Sequence, residues 1–375
     1  MTMAPGIRFT LGCFLFTVLC MPWSSCQKDP QIIGPYTPGT KDTIFTNYFR
    51  TKTGFVAGDG AFSIPMGNGK SFLVFGDSYI DSYDPVTQTV PCIFNVHNCG
   101  VTWDIQNPVN QKTYSGIGSP GPLFSYGTSN NFWFWPGAGF ANNDTIYVML
   151  ERITSSGSSF ARVDTNYVAC MPIANPGIVS YFIRPSRNGI DFSKSVIKDT
   201  ASGFCYVYGT KKNGIGNDVF VARFPINAVK NDWQYYSSHG WTNNAMNAQS
   251  IYNDFTASFY VCRVKQKYIM ISTEFSFGCD QGKNIYITTS DNPFGPFENK
   301  HSIWQVDDLL DGHYPFFYLA NAHPEFDNGK NELLITYCIN GYGTCVNTCI
   351  NGRMNPDVYR PKAIRVAYHL LDPGL

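Results

Sequence analysis

The sequence predicts an all-β fold, a five-bladed β-propeller, and three observations carry that expectation. Charged residues make up 14% of the chain and aromatics 16%, a balance that suits pleated sheets around a large interior. Short stretches such as SFLVFGDS, TIYVMLERI, DVFVARFPI, KYIMISTEF and ELLITYCI recur. Many alternate apolar and polar residues, and Gly, Asn, Asp or Pro bounds each. These stretches fall into five loosely similar units that begin near residues 54, 132, 203, 253 and 319. Radial repetition of small sheets is how a propeller disposes of exposed strand edges.

The units share one grammar: a short strand with small or polar residues, a turn, then a strongly apolar strand. The first reads GFVAGDGAFSIPMGNGKSFLVFGD and the second FWFWPGAGFANNDTIYVMLERI. The third is GFCYVYGTKKNGIGNDVFVARFP, the fourth NDFTASFYVCRVKQKYIMISTEF and the fifth LANAHPEFDNGKNELLITYCI. In a propeller the innermost strand of each blade crowds the axis, so small residues are expected there. Gly58, Gly60 and Ala61 fit that position, and Asp59 between them would face the channel mouth. Helical periodicity is nearly absent; only 225–231 (PINAVKN) and 305–312 (QVDDLLDG) suit a turn or two of helix.

Before the first unit, Arg8 precedes the apolar run FTLGCFLFTVLCMPW, and Ser24-Ser25-Cys26 follows. A charged start, an apolar core of this length and small residues at the end read as an export signal. Cys26 falls where a bacterial lipoprotein is lipidated. The expected organisation is a signal over 1–25, a tether over 26–45 and one propeller over 46–375. The expected place is the bacterial outer membrane, reached through the lipid. Net charge is zero and no basic stripe is visible, which argues against nucleic acid as partner. A monomer without cofactor is expected.

Nine further cysteines follow Cys26, and an exported chain permits disulfides. Loop staples are expected within Cys92–Cys99 and within the cluster Cys338, Cys345 and Cys349. Nine is odd, so at least one thiol stays free. The spacing of the last cluster does not suit zinc.

The stretch GDGAFSIPMGNGKSFLVFGDSYI resembles the DG-x-x-SIP…FGD signature of secreted bacterial five-bladed propellers of unknown function, a group related to endo-D-arabinanases and arabinanase-like glycoside hydrolases. Trp135-Pro136-Gly137, Tyr208-Gly209-Thr210, Asp232-Trp233-Gln234-Tyr235, Asn292-Pro293-Phe294-Gly295 and Ala322-His323-Pro324-Glu325 follow in matching order. The resemblance implies a glycoside hydrolase acting on a furanose-containing, arabinan-like polysaccharide, with Asp59 and Asp77 as catalytic carboxylates. Two departures stand out: Ala138 lies where relatives often carry a polar residue, and the cysteines look like a local elaboration. The alternative is a surface glycan-binding propeller that does not cut; an adhesion propeller is a third reading.

Glycosidic cleavage needs two carboxyl groups, one to protonate the leaving oxygen and one to attack or to activate water. A hairpin spanning residues 59–77 can bring its ends together. The plain reading of either aspartate is a turn or strand terminus beside glycine. Asp254, at the expected start of the fourth inner strand, is the candidate third acid. Glu274, Glu325 and His323 are candidates for substrate contact; a rim ion pair and a satisfied core histidine are the competing readings. Trp135, Tyr208 and Phe140 are candidate stacking platforms, or packing between blades. Asp307, Asp308 and Asp311 offer hard oxygens that suit a structural calcium, or a solvated acidic face. Gly67–Ser71 lacks the first glycine of a phosphate loop, and no strand-to-helix elbow follows Ser78.

Overall fold

A computed structural model describes residues 39–375 apart from 119, 127–131, 157–158, 163–164, 186–187, 277 and 342–345. The expected export signal over 1–25, most of the expected tether, Cys26 and Cys345 lie outside the described residues.

Five antiparallel sheets form the blades of a propeller. Blade 1 runs outward through Phe62–Pro65, Lys70–Phe75, Cys99–Asp104 and Gln111–Tyr114. Blade 2 holds Phe132–Asn142, Thr145–Ser156, Thr165–Pro172 and Ser180–Pro185. Blade 3 holds Asp191–Asp199, Phe204–Asn213, Gly216–Pro225 and Gln234–Ser237. Blade 4 holds Phe259–Val264, Lys267–Thr273, Asn284–Ser290 and Glu298–Gln305. Blade 5 combines Phe316–Ala322, Glu332–Asn340 and Lys362–Ala367 with Thr40–Lys41 from the other end of the chain. Thr40 pairs with Arg365, so the first and last described strands share one sheet, with Thr40–Lys41 at its outer edge.

Residues 40–45, expected in the tether, thus supply a strand and the start of a helix. Asp42 caps the helix Thr43–Tyr48 by accepting from Phe45 N–H at 2.8 Å. The helix buries Phe45, and Phe49 just beyond it is buried too; both pack on Trp103. Apolar burial of these rings holds this segment against the sheet of blade 1.

Inner strands pack on one another in series from blade 1 to blade 5. The ring closes where Asn321 Nδ2 donates to the Gly60 carbonyl and Ser63 Oγ meets His323 Nδ1 at 2.7 Å. Small residues are required at these contacts. A Cβ at Gly137 would overlap the Ser193 carbonyl, and one at Gly139 would overlap that of Tyr147. The glycines of WPGAGF thus follow from close strand approach.

Several boundaries differ from the sequence reading. Tyr252–Phe255 pairs with Gly216–Pro225 of blade 3; blade 4 opens later, at Phe259. Phe55–Gly58 does not begin blade 1 but pairs with Ser78–Ile80 as a separate ribbon. Neither expected helix forms: 225–231 is a pair of turns, and 305–312 leaves a strand and enters an isolated bridge between Leu310 and His313. One disulfide joins Cys92 to Cys349, and Cys279 is disulfide-bonded as well. Cys99 and Cys338 are free, buried thiols inside strands, so neither takes part in the loop staples expected of them.

Candidate active site

The ribbon formed by Phe55–Gly58 and Ser78–Ile80 explains the opening of the chain's first hairpin. Gly58 lies opposite Ser78. Asp59 N–H donates to the Asp77 carbonyl at 3.3 Å, and Gly76 N–H donates to the Asp59 carbonyl at 2.8 Å. The two aspartates thus leave one ladder side by side. A Cβ at position 76 would overlap Asp59 Oδ1, so glycine there admits the carboxyl group. Both aspartates keep partial exposure while Gly58, Gly60 and Ser78 around them are buried.

Each carboxyl group has its own partners. Tyr318 Oη and Tyr359 Oη donate to Asp59 Oδ2 at 2.8 and 3.0 Å. His97 Nδ1 lies 2.9 Å from Asp77 Oδ1, and Trp135 Nε1 donates to the same oxygen at 3.3 Å. Burial, reinforced by the charge of Asp77, pushes Asp59 up to about 7 against the two phenol hydrogen bonds. Burial also raises Asp77, while His97 and Trp135 pull it back down. Like charges near one another cannot both ionise cheaply, so burial and the Asp77 charge together keep Asp59 protonated into the neutral range.

Aromatic rings extend from both carboxyl groups. The His97 ring stacks on Trp133 at 4.6 Å, and Trp133 meets Trp135 edge-on at 6.3 Å. On the other side, Phe316 stacks on Tyr318 at 4.8 Å with ring planes 8° apart. At the same end of the ring, Lys194 bridges Glu151 and Asp191, and Ser193 donates to Glu151 at 2.9 Å. Glu151 sits opposite Trp135 in the strand register.

A model of a domain of unknown function, DUF5005, matches residues 42–369. The chain belongs to the DUF5005 family. No curated protein matches it. Among solved structures, this DUF5005 chain is similar to a Bacteroides ovatus protein proposed to be a hydrolase. They share 18% identity and a TM-score of 0.71 over 87% of this chain and 89% of that one. That likeness extends to the fold. A GH43_1 enzyme from Xanthomonas citri aligns with a TM-score of 0.45 at 11% identity, over 86% of this chain and 92% of that one. The α-L-arabinofuranosidase PaAbf62A from Podospora anserina aligns at 0.43 and 13%, over 88% and 94%.

The DUF5005 structure gathers Asp59, Asp77 and Trp135 at one mouth and places the remaining candidates elsewhere. The side chain of Asp254 lies outside the described residues; its backbone belongs to the edge of blade 3. Tyr208 is fully buried and donates to the Pro293 carbonyl at 2.6 Å, so no ligand reaches it. Phe140 packs on Tyr147 and Phe224 between blades. His323 is enclosed between Ser63 and Thr336; burial pushes it down to about 3, which keeps it neutral. Glu274 clamps a loop by accepting from Lys283 N–H, Asn284 N–H and Asn284 Nδ2.

Glu325 accepts from Ser71 Oγ at 2.9 Å and lines a cavity of about 600 Å³ with Ser63, Phe140, Lys198 and Tyr260. Phe140 and Lys198 lie late in their inner strands and Glu325 lies beyond the end of its own, whereas Trp135, Lys194 and Tyr318 lie early. Glu325 therefore serves the opposite end of the channel. Asp307 pairs with Lys41, Asp308 accepts from Tyr337 and Asp311 accepts from Asn347 N–H. Among the described residues no cluster of three or more His, Cys, Asp or Glu is placed to hold a metal ion.

His97, Tyr318 and Tyr359 were not singled out from the sequence. His97 carried a weak signal as one of six histidines, inside the Cys92–Cys99 loop. The two tyrosines carried none among 23, because their role depends on long-range closure of blade 5 onto blade 1.

Proposed function

We propose that this protein is a glycoside hydrolase that cuts a furanose-containing, arabinan-like polysaccharide. The observation that carries the reading is the side-by-side pair Asp59 and Asp77, with Asp59 pushed to about 7. A carboxyl group with that value stays protonated near neutrality and can donate to a departing glycosidic oxygen. Asp77 has the one partner that can carry positive charge, His97 at 2.9 Å, so ionisation is best accommodated there.

In the proposed reaction Asp59 gives its proton to the leaving oxygen as the glycosidic bond breaks. Asp77 either attacks the anomeric carbon or takes a proton from the attacking water. A carboxyl separation of about 5–5.5 Å goes with retention and about 6.5–9.5 Å with inversion; the anomer first released, read by NMR, reports which.

The test is incubation with linear arabinan, xylan and fructan, comparing wild type with Asp59→Asn and Asp77→Asn. Release from arabinan by the wild type alone supports the assignment. Unchanged turnover by Asp59→Asn ends it. Retention of arabinan without cleavage favours the glycan-binding reading, which the aromatic rings around the mouth also support.

We place the enzyme, as a monomer, outside the cell membrane, tethered by lipid on Cys26. Its test is mass spectrometry of the mature N-terminus, with Cys26→Ser expected to release the protein from the membrane fraction. No cofactor enters this mechanism.

A further inference from the structure

We propose a second binding site, at the end of the channel opposite Asp59 and Asp77, that takes a neutral sugar of one or two rings. The inference stands apart from the glycosidase reading and uses none of its residues. The cavity there measures about 600 Å³, within the range of about 300–1,000 Å³ usual for small-molecule sites. All five blades supply its wall. Ser63, Phe140, Lys198 and Tyr260 come from the inner strands of blades 1 to 4, and Glu325 from just beyond that of blade 5. A wall drawn from every blade is held by the whole ring, so it is formed before any guest arrives.

Two polar groups in this wall lack what burial ordinarily demands. Tyr260 is 8% exposed, yet its hydroxyl has no hydrogen-bond partner among the described residues. The oxygen is not sealed off either, so it opens on the cavity. A phenol so deep is destabilising until something completes its hydrogen bonds. Glu325 accepts from Ser71 at 2.9 Å, and among the described residues no cation pairs with it. Burial pushes its carboxyl group up against the pull of Ser63 and Ser71. Its charge also reaches Tyr260 and raises that phenol, so the two groups share one space.

A sugar hydroxyl both donates and accepts, and a phenol beside a carboxyl group that can itself donate needs both. Met66, Phe140 and Val196 add apolar wall, which suits the C–H faces of a sugar. Charged guests are served less well. Lys198 at the rim donates to the Ala141 carbonyl at 2.9 Å, and Arg263 pairs with Asp199 at 3.2 Å. An anion therefore finds both cations engaged, and a cation must approach past them.

The experiment titrates the full chain with xylose, arabinose and xylobiose, and with glucuronate, glucosamine and glycerol for comparison, by calorimetry and ligand-observed NMR. Tyr260→Phe, Glu325→Ala and Glu325→Gln probe the cavity, Trp135→Ala probes the carboxyl mouth, and thermal melting checks the fold. At least one neutral sugar should bind more tightly than glucuronate, glucosamine or glycerol. Tyr260→Phe should weaken that binding about fivefold and Glu325→Ala about tenfold. Glu325→Gln, which still donates and accepts, should stay within about twofold of wild type. Tyr260→Phe should melt no lower than wild type without sugar, because its hydroxyl bonds no protein group. Binding of none of the neutral sugars, tighter binding of a charged one, or equal affinity in Tyr260→Phe would overturn the proposal. So would loss in Trp135→Ala with none in the cavity variants, which would place the sugar at the carboxyl mouth alone. Sugar binding that depends on Tyr260 in a protein that cleaves nothing removes the hydrolase reading and leaves this site standing.

Discussion

Asp59 and Asp77 are joined by a backbone hydrogen bond, 3.3 Å from the Asp59 N–H to the Asp77 carbonyl, so their carboxyl groups issue from one ladder. Their relative position is fixed by main chain, not by flexible loops, and this is the arrangement a two-carboxylate mechanism needs.

Gly76 is the weak point of that arrangement. A methyl group there would overlap Asp59 Oδ1 and meet no backbone clash as near. Gly76→Ala should displace the carboxyl group from Tyr318 and Tyr359. The expected outcome is loss of arabinan cleavage by about a hundredfold, with an unaltered circular dichroism spectrum. Full activity would show that the Asp59 position is not critical.

The raised Asp59 carboxyl makes stability depend on pH with a definite sign. Its folded value, about 7, exceeds its ordinary value of 3.8, so between these limits the folded state holds the proton that the unfolded state has lost. Stability contributed by the protonated form is complete below about pH 4 and is lost as pH rises through 7. In denaturant melts Asp59→Asn should flatten this decline, gaining one to a few kcal/mol on wild type at pH 8 relative to pH 4. A pH-independent difference between the two proteins would contradict it.

The partners of the two acids should move opposite limbs of the pH–rate profile. Tyr359 donates to Asp59 and lowers its value. Tyr359→Phe therefore raises it and shifts the basic limb upward by about one pH unit. His97 lowers Asp77, so His97→Gln raises the acidic limb instead. Exchange of these two outcomes would reverse the assignment of acid and base.

The disulfide from Cys92 to Cys349 ties the loop that carries His97 to the segment leading to Tyr359. The same two segments pair as Val90–Pro91 with Arg353–Met354. The double variant Cys92→Ser/Cys349→Ser should lower thermal stability by about 2–4 kcal/mol and accelerate amide exchange in 90–99 and 349–359. Unchanged exchange in both segments would show that the strand pairing suffices.

Much of this was legible from residue order. Turn-bounded apolar stretches gave the blades, and glycine beside aspartate marked the ribbon. What escaped was whatever depends on distant strands meeting. Tyr252–Phe255 has the pattern of an inner strand, yet it completes the neighbouring blade, because period two says which face is buried and not which sheet. Tyr208 and His323 look like site residues by type, but burial between strands satisfies them. Tyr318 and Tyr359 bond Asp59 from positions 259 and 300 residues away in sequence, and no local pattern encodes that. The Cys92–Cys349 pairing, 257 residues apart, is of the same kind.

The raised carboxyl group of Asp59, held up by burial and by the charge of Asp77, is the claim from which the catalytic reading follows, and carboxyl-carbon NMR of protein labelled at aspartate measures it directly. Wild type should show one of the two signals titrating near 7, and Asp77→Asn should bring the Asp59 signal down towards the ordinary range. Two signals that both titrate near 4, each indifferent to removal of the other, would contradict the account.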